Sequence, residues 1–148
     1  MTRMTPPFRK QTRDLGSTDG FIHTRHRNQA ELTEDYVELI DELITDRGEA
    51  RAVDIAKRLG VSHVTVSKAV SRLKEAGLVH SQPYRSVFLT DRGKAMARQT
   101  RERHHLVMEF LLALGVPPQT ASIDAEGIEH HVSEATLKAM QVFVSKKK

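Results

Sequence analysis

The stretch "DAEGIEHHV", Asp124–Val132, carries three carboxylates and two imidazoles on adjacent helical turns. On a helix, residues three and four apart share a face, so Glu126, Glu129 and His130 lie together. The same spacing relates Asp35 and Glu38 in "EDYVEL". Tyr36, Leu39 and Ile40 form the adjoining apolar side, so this acidic pair borders the core rather than open water. A third segment, "RHHLVMEF", sets His104 and His105 just before an apolar run. Carboxylates held together repel unless a cation neutralises them. Where three helices converge, Asp35, Glu38, His104, Glu126, Glu129 and His130 would make an oxygen-rich donor set with two imidazoles and no sulfur. Such a set suits Mn2+ or Fe2+ and offers nothing to thiolate-seeking ions. Affinity rises toward Cu2+ in any N/O site, so selectivity has to come from geometry, coordination number and metal availability. Six donors suffice for one octahedral ion, or for two ions bridged by carboxylates. The opposing reading is a solvated acidic face and a surface histidine pair, because spacing alone does not show that the segments meet.

The elements that carry these donors follow from apolar periodicity. Leu32, Tyr36, Leu39, Ile40, Leu43 and Ile44 form one helical stripe, ended near Gly48. Ala52, Ile55, Ala56 and Leu59 form a shorter helix closed by Gly60. A third helix starts at the N-cap Ser62, turns Val66, Val70 and Leu73 inward and stops at Gly77. Leu78–Ser81 and Ser86–Leu89 read as two short strands around a Pro-containing turn. Thr90 caps a long helix that Gly115 stops. Two or three shorter helices follow, with starts marked by Pro117 or Pro118 and by Ser133.

Helix, turn, helix and β-ribbon in this order make a winged helix-turn-helix over about 49–90. The outer side of its second helix would enter a DNA major groove. His63, Thr65 and Lys68 can reach base edges there, and Val64 can touch a thymine methyl. Ser62 and Arg72 suit phosphates, as do Arg51, Lys57, Tyr84 and Arg85 near the wing. A winged helix that binds protein is the alternative. Charge argues against it: residues 47–103 carry thirteen Lys/Arg against five acids.

The net charge of +4 conceals further blocks. Residues 31–46 carry seven acids and no base, and residues 1–30 carry six bases and two acids. A polyanion suits the basic middle, and cations suit the acidic flanks. Residues 1–30 hold few apolar groups and read as a flexible basic arm, with room for a short helix near its end. The chain has no cysteine, so a disulfide framework and thiolate metal sites are excluded. No run approaches the roughly 18 apolar residues of a membrane span. No apolar stretch follows the first basic residues, so an export signal is not expected and the cytoplasm is the default compartment.

"EDYVELI", "ARAVDIAKRLGVSHVTVSKAVSRLKEAGLV", "YRSVFLT", "RHHLVMEFLLALGV" and "DAEGIEHHVS" together resemble the diphtheria toxin repressor family, and within it the manganese transport regulator branch. The resemblance spans about 31–143. It implies a homodimeric, Mn2+-activated repressor of metal-uptake genes that acts on a palindromic DNA operator. It also implies that Asp35, Glu38, His104, Glu126, Glu129 and His130 stand where the family's motifs have donors. Iron-responsive relatives hold a Met and a Cys at the positions of Asp35 and Glu126, and hard oxygen in their place fits manganese. His105 and Met108 stand where some relatives have Glu, which leaves the arrangement of a second ion open.

The expected architecture is mainly α. A basic arm (1–30) precedes a winged helix-turn-helix with a two-stranded wing (31–92), then a helical metal-binding and dimerisation domain (93–148). Leu111, Leu114, Val116, Ile123, Ile128, Leu137 and Met140 are the apolar residues available for dimerisation or for the core. Rival readings are an iron-responsive relative, a winged-helix regulator with an organic effector, and a dimetal carboxylate enzyme. The last is weakened by a Glu-x-x-Glu-His spacing that occurs once, where such enzymes repeat Glu-x-x-His on paired helices.

Overall fold

The computed structural model describes residues 18–82 and 86–148, with side chains from residue 28 onward. Six helices and one two-stranded sheet follow in the order α1 (Thr18–Arg47), α2 (Ala52–Leu59), α3 (His63–Glu75), β1 (Val79–His80), β2 (Phe88–Leu89), α4 (Asp91–Ala113), α5 (Pro118–Ile128) and α6 (Glu134–Lys147). Among the described residues, no helix is long and apolar enough to cross a membrane.

α1 starts well before the expected stripe, so the later part of the predicted arm is helix. No proline falls within it, and each residue added to an existing helix gains a hydrogen bond without a new nucleus. Residues 1–17 of the predicted arm lie outside the described residues. Tyr36, Leu39, Ile40 and Leu43 are buried as the stripe requires, together with Val37. Leu32 is not: it is 44% exposed at the rim of a groove between α1 and α3, beside Tyr36, Ala69 and Leu73.

Capping chemistry sets the remaining boundaries. Ser62, Thr90 and Ser133 each accept a backbone N–H from the first turn of the helix they open: Thr65, Gly93 and Thr136. Gly60, between α2 and α3, has φ of 67°, and its N–H returns to the Ala56 carbonyl. The strands are shorter than expected. Val79 pairs with Leu89 and His80 with Phe88, antiparallel, and a single bridge joins Ala50 to Val87. Alternation puts Val79 and Leu89 inward and His80 and Phe88 outward.

Two apolar clusters result. One joins α1, α2, α3, the sheet and the start of α4 around Ile40, Leu43, Ile55 and Val66. The other joins α4, α5 and α6 around Val107, Ala125 and Leu137, with Leu111, Ile128 and Met140 packed on it. α1 also packs along α4, so the two clusters share that helix pair as a seam. Two ion pairs lie along it, Arg101 with Asp41 and Arg103 with Glu34.

Candidate functional site

The seam brings together residues remote in the chain. α1 presents Glu31, Glu34, Asp35 and Glu38 on successive turns. α4 crosses them with Arg103 and His104. The last turn of α5 carries Glu126, and Glu129 and His130 lie in the turn that follows.

His104 Nδ1 lies 2.6 Å from Glu129 Oε2 and 3.7 Å from Glu126 Oε1. His130 Nε2 lies 3.2 Å from Asp35 Oδ1 and 3.3 Å from Glu129 Oε1. Glu129 therefore faces both imidazoles, one oxygen each. Two donor groups can be drawn, Glu31 with Asp35 and His130, and His104 with Glu126 and Glu129. Within each, the donor atoms lie within 4.8 Å of one another. Glu38 is half-buried between them. Burial raises its carboxyl above the usual range, with Glu126 and Asp35 adding to the shift and His104 and His130 opposing it.

The electrostatics are those of a site short of positive charge. Burial drives the Glu129 carboxyl up to about 7, against the pull of His104 and His130. Its side chain is fully buried, and Oε1 makes no hydrogen bond with the described residues. A buried carboxylate oxygen that accepts no hydrogen bond is costly, and a cation relieves it. Contacts with Asp35 and Glu34 raise His130 to about 10, so without a metal it carries a proton among acids. The donors present thus fit a divalent ion: hard oxygens, two imidazoles, no sulfur and one buried oxygen that accepts no hydrogen bond.

Five of the six expected donors meet directly, and Glu38 lies within electrostatic reach of four of them: Glu126, His104, Asp35 and His130. Sequence reasoning missed Glu31, Glu34, Arg103 and His131. Glu31 stands four residues before Asp35, and Glu34 four before Glu38, so helical spacing could have flagged both. His131 Nε2 reaches Glu31 Oε2 at 2.8 Å, a pairing across two elements that no local rule gives. His105 points elsewhere, toward Glu109 at 3.3 Å.

The second surface is the outer side of α3. His63, Val64, Thr65, Lys68 and Arg72 are all exposed, Val64 by 63%, while Val66, Val70 and Leu73 are buried. A groove of about 940 Å³ runs between α3 and the wing, lined by His63, Ser67, Lys74, Arg51 and Phe88 among others. Ser62 is exposed, but its hydroxyl serves the helix cap and lies 3.0 Å from the Thr65 hydroxyl. Arg51 pairs with Glu49 at 2.8 Å, and Lys57 is exposed on α2. Tyr84 and Arg85, expected at the wing, lie outside the described residues.

Comparison with known proteins places this arrangement. Residues 29–87 match the family model "Iron dependent repressor, N-terminal DNA binding domain". Residues 90–148 match "Iron dependent repressor, metal binding and dimerisation domain". The chain is 50% identical over 145 residues to the "Transcriptional regulator MntR" of Escherichia coli O157:H7, covering 96% of this chain and 94% of that protein. The manganese regulator SloR superposes on 76% of the chain with a TM-score of 0.65 and 27% identity. A manganese-dependent transcriptional repressor in complex with manganese does so over 76%, with a TM-score of 0.65 and 29% identity. The chain spans about half the length of these two solved chains, 53% and 52%. With the two domain models matching residues 29–87 and 90–148 and 50% identity to a relative of which the match covers 94%, the chain belongs to the iron dependent repressor family, in which a DNA-binding domain is joined to a metal-binding and dimerisation domain.

Proposed function

We propose that the chain is a manganese-responsive, homodimeric transcriptional repressor of metal-uptake genes, acting in the cytoplasm on a palindromic operator. The family and its relatives are transcriptional regulators, not enzymes. The observation that carries the metal-responsive reading is the meeting of Asp35 and Glu38 with His104, Glu126, Glu129 and His130, with one buried Glu129 oxygen accepting no hydrogen bond. The manganese-named relatives and the absence of sulfur among the donors favour Mn2+ over Fe2+.

When bound, Mn2+ would supply the positive charge that these carboxylates lack. Asp35 and Glu38 belong to α1, whose apolar side is part of the DNA-binding core. The other four donors belong to α4, to the last turn of α5 and to the turn that follows it. Holding the two groups together fixes the orientation of α3 against the dimerisation helices. In a twofold dimer, two copies of α3 must stand about 34 Å apart, or a multiple of that, to read two half-sites. Differential metal affinity for the correctly spaced arrangement would drive activation, with a typical coupling of ~1–3 kcal/mol.

For the DNA interface, His63, Val64, Thr65 and Lys68 read bases, while Ser62, Arg72, Arg51, Lys57, Tyr84 and Arg85 hold phosphates. Residues 1–30 add phosphate contacts, 31–92 form the reader and 93–148 form the metal and dimer module. Leu114 and Ile123, 56% and 73% exposed in the single chain, suit a second copy, whereas Leu137 is spent on the core. The test is an operator titration with Mn2+ and with chelator, for the parent chain and for Glu126→Ala and His130→Ala. Mn2+ should tighten binding by the parent only. Identical operator affinity with Mn2+ and with chelator would sink the proposal.

A further inference from the structure

Glu34 immediately precedes Asp35 on α1, so the two side chains leave the helix roughly 100° apart. Both reach His130, from opposite sides of the ring. Asp35 Oδ1 approaches Nε2 at 3.2 Å, and Glu34 Oε2 approaches Nδ1 at 2.7 Å. The His130 side chain is 2% exposed, which leaves little room for water to replace either partner. The second oxygen of Glu34, Oε1, is ion-paired with Arg103 Nη2 at 2.7 Å. Arg103 holds this position although its own Nε is buried without a hydrogen-bond partner. Three segments are thereby tied: Arg103 on α4, Glu34 on α1, and His130 in the turn after α5.

We infer that Glu34 is a positioning residue of the metal centre: clamped by Arg103, its carboxylate accepts the Nδ1 proton of His130 and leaves Nε2, facing Asp35 and Glu129, as the metal-binding nitrogen. The inference rests on reading these donors as a metal centre. Metal-ligating histidines characteristically donate the other ring N–H to a carboxylate or carbonyl, which fixes tautomer and ring orientation and raises ligand basicity. Glu34 itself is not a ligand. Both its oxygens are engaged, one of them by a guanidinium, and it falls in neither donor group. Without it, the ring is free to rotate and present either nitrogen.

The full chain, stripped by chelator, is titrated with Mn2+, and free Mn2+ is read by electron paramagnetic resonance. Glu34→Ala should weaken binding about 10- to 100-fold, the usual effect of losing such a partner, without reducing the number of ions bound. Glu34→Gln should lose less, because its amide oxygen still accepts from Nδ1–H. Arg103→Ala should weaken binding in the same sense. Co2+-loaded protein gives a second readout. The exchangeable imidazole N–H resonance shifted by the ion should be sharp in the parent, retained in Glu34→Gln and lost in Glu34→Ala. If thermal unfolding in chelator shows Glu34→Ala unfolded, the near-isosteric Glu34→Gln decides alone. Parental affinity in both Glu34 variants overturns the inference and leaves the metal centre standing. Loss of a bound equivalent also overturns it, by making Glu34 a ligand. A parent chain that binds no Mn2+ removes the metal centre itself, and the inference with it.

Discussion

His104 Nδ1 and Glu129 Oε2 lie 2.6 Å apart, although 25 residues separate them in the chain. The contact joins the middle of α4 to the turn after α5. Opposite it, the other Glu129 oxygen faces His130, which α1 holds through Glu34 and Asp35. One buried carboxylate thus sits where the DNA-binding and helical modules meet.

Metal binding should strengthen with pH. In the metal-free protein Glu129 titrates near 7, raised by burial, and His130 near 10, raised by its contacts with Asp35 and Glu34. Mn2+ competes with both protons. Calorimetric titration at pH 6, 7 and 8 should show rising affinity, and repetition in buffers of different ionisation enthalpy should show proton release. Equal affinity at pH 6 and pH 8 would contradict it.

Stability of the metal-free protein should run the other way. Both groups bind protons more tightly folded than unfolded, so their contribution is complete at low pH. For Glu129 it is lost between the usual carboxyl range and about 7; for His130 it is lost as pH rises from 6.5 toward about 10. In chelator, the unfolding midpoint should fall from pH 6 to pH 9. Saturating Mn2+ should restore it most at the alkaline end. Replacing His130 by Ala should flatten the alkaline part of the chelator curve.

The two classes of DNA contact should separate by salt. Lys57→Ala should weaken operator and random DNA alike and reduce the slope of log K against log salt by about 1. His63→Ala should instead cost about 1–3 kcal/mol on the operator and little on random DNA. Fluorescence anisotropy across a salt series reads both. If the two variants lose the same affinity on both DNAs, the assignment of base and phosphate contacts fails.

Gly93 should not tolerate a side chain. A Cβ there would lie 2.1 Å from the Leu78 carbonyl oxygen, in the tight approach of α4 to the end of α3 and the wing. Gly93→Ala should destabilise the chain by roughly 1–3 kcal/mol, as overpacking does. Thermal unfolding in chelator checks this, and an unchanged midpoint would show that α4 can shift freely.

Much was decided by residue type and local spacing. Ser62, Thr90 and Ser133 cap their helices because a hydroxyl before a helical run has orphan N–H groups within reach, whatever lies farther away. The inward Val66, Val70 and Leu73 and the outward Val64 and Lys68 follow from a period of 3.6 residues. That thiolate is missing from the donor chemistry is composition alone, since the chain has no cysteine. Tertiary packing decided which donors meet. Spacing within α1 cannot tell Asp35, aimed at Nε2 of His130, from Glu34, aimed at Nδ1, because both distances depend on where the turn after α5 meets α1. Leu32 continues the apolar stripe yet is exposed, because its burial depended on a neighbour that the packing does not supply. Local rules act within one or two turns, whereas the position of an ångström-scale donor across the seam is set by every side chain packed between the helices.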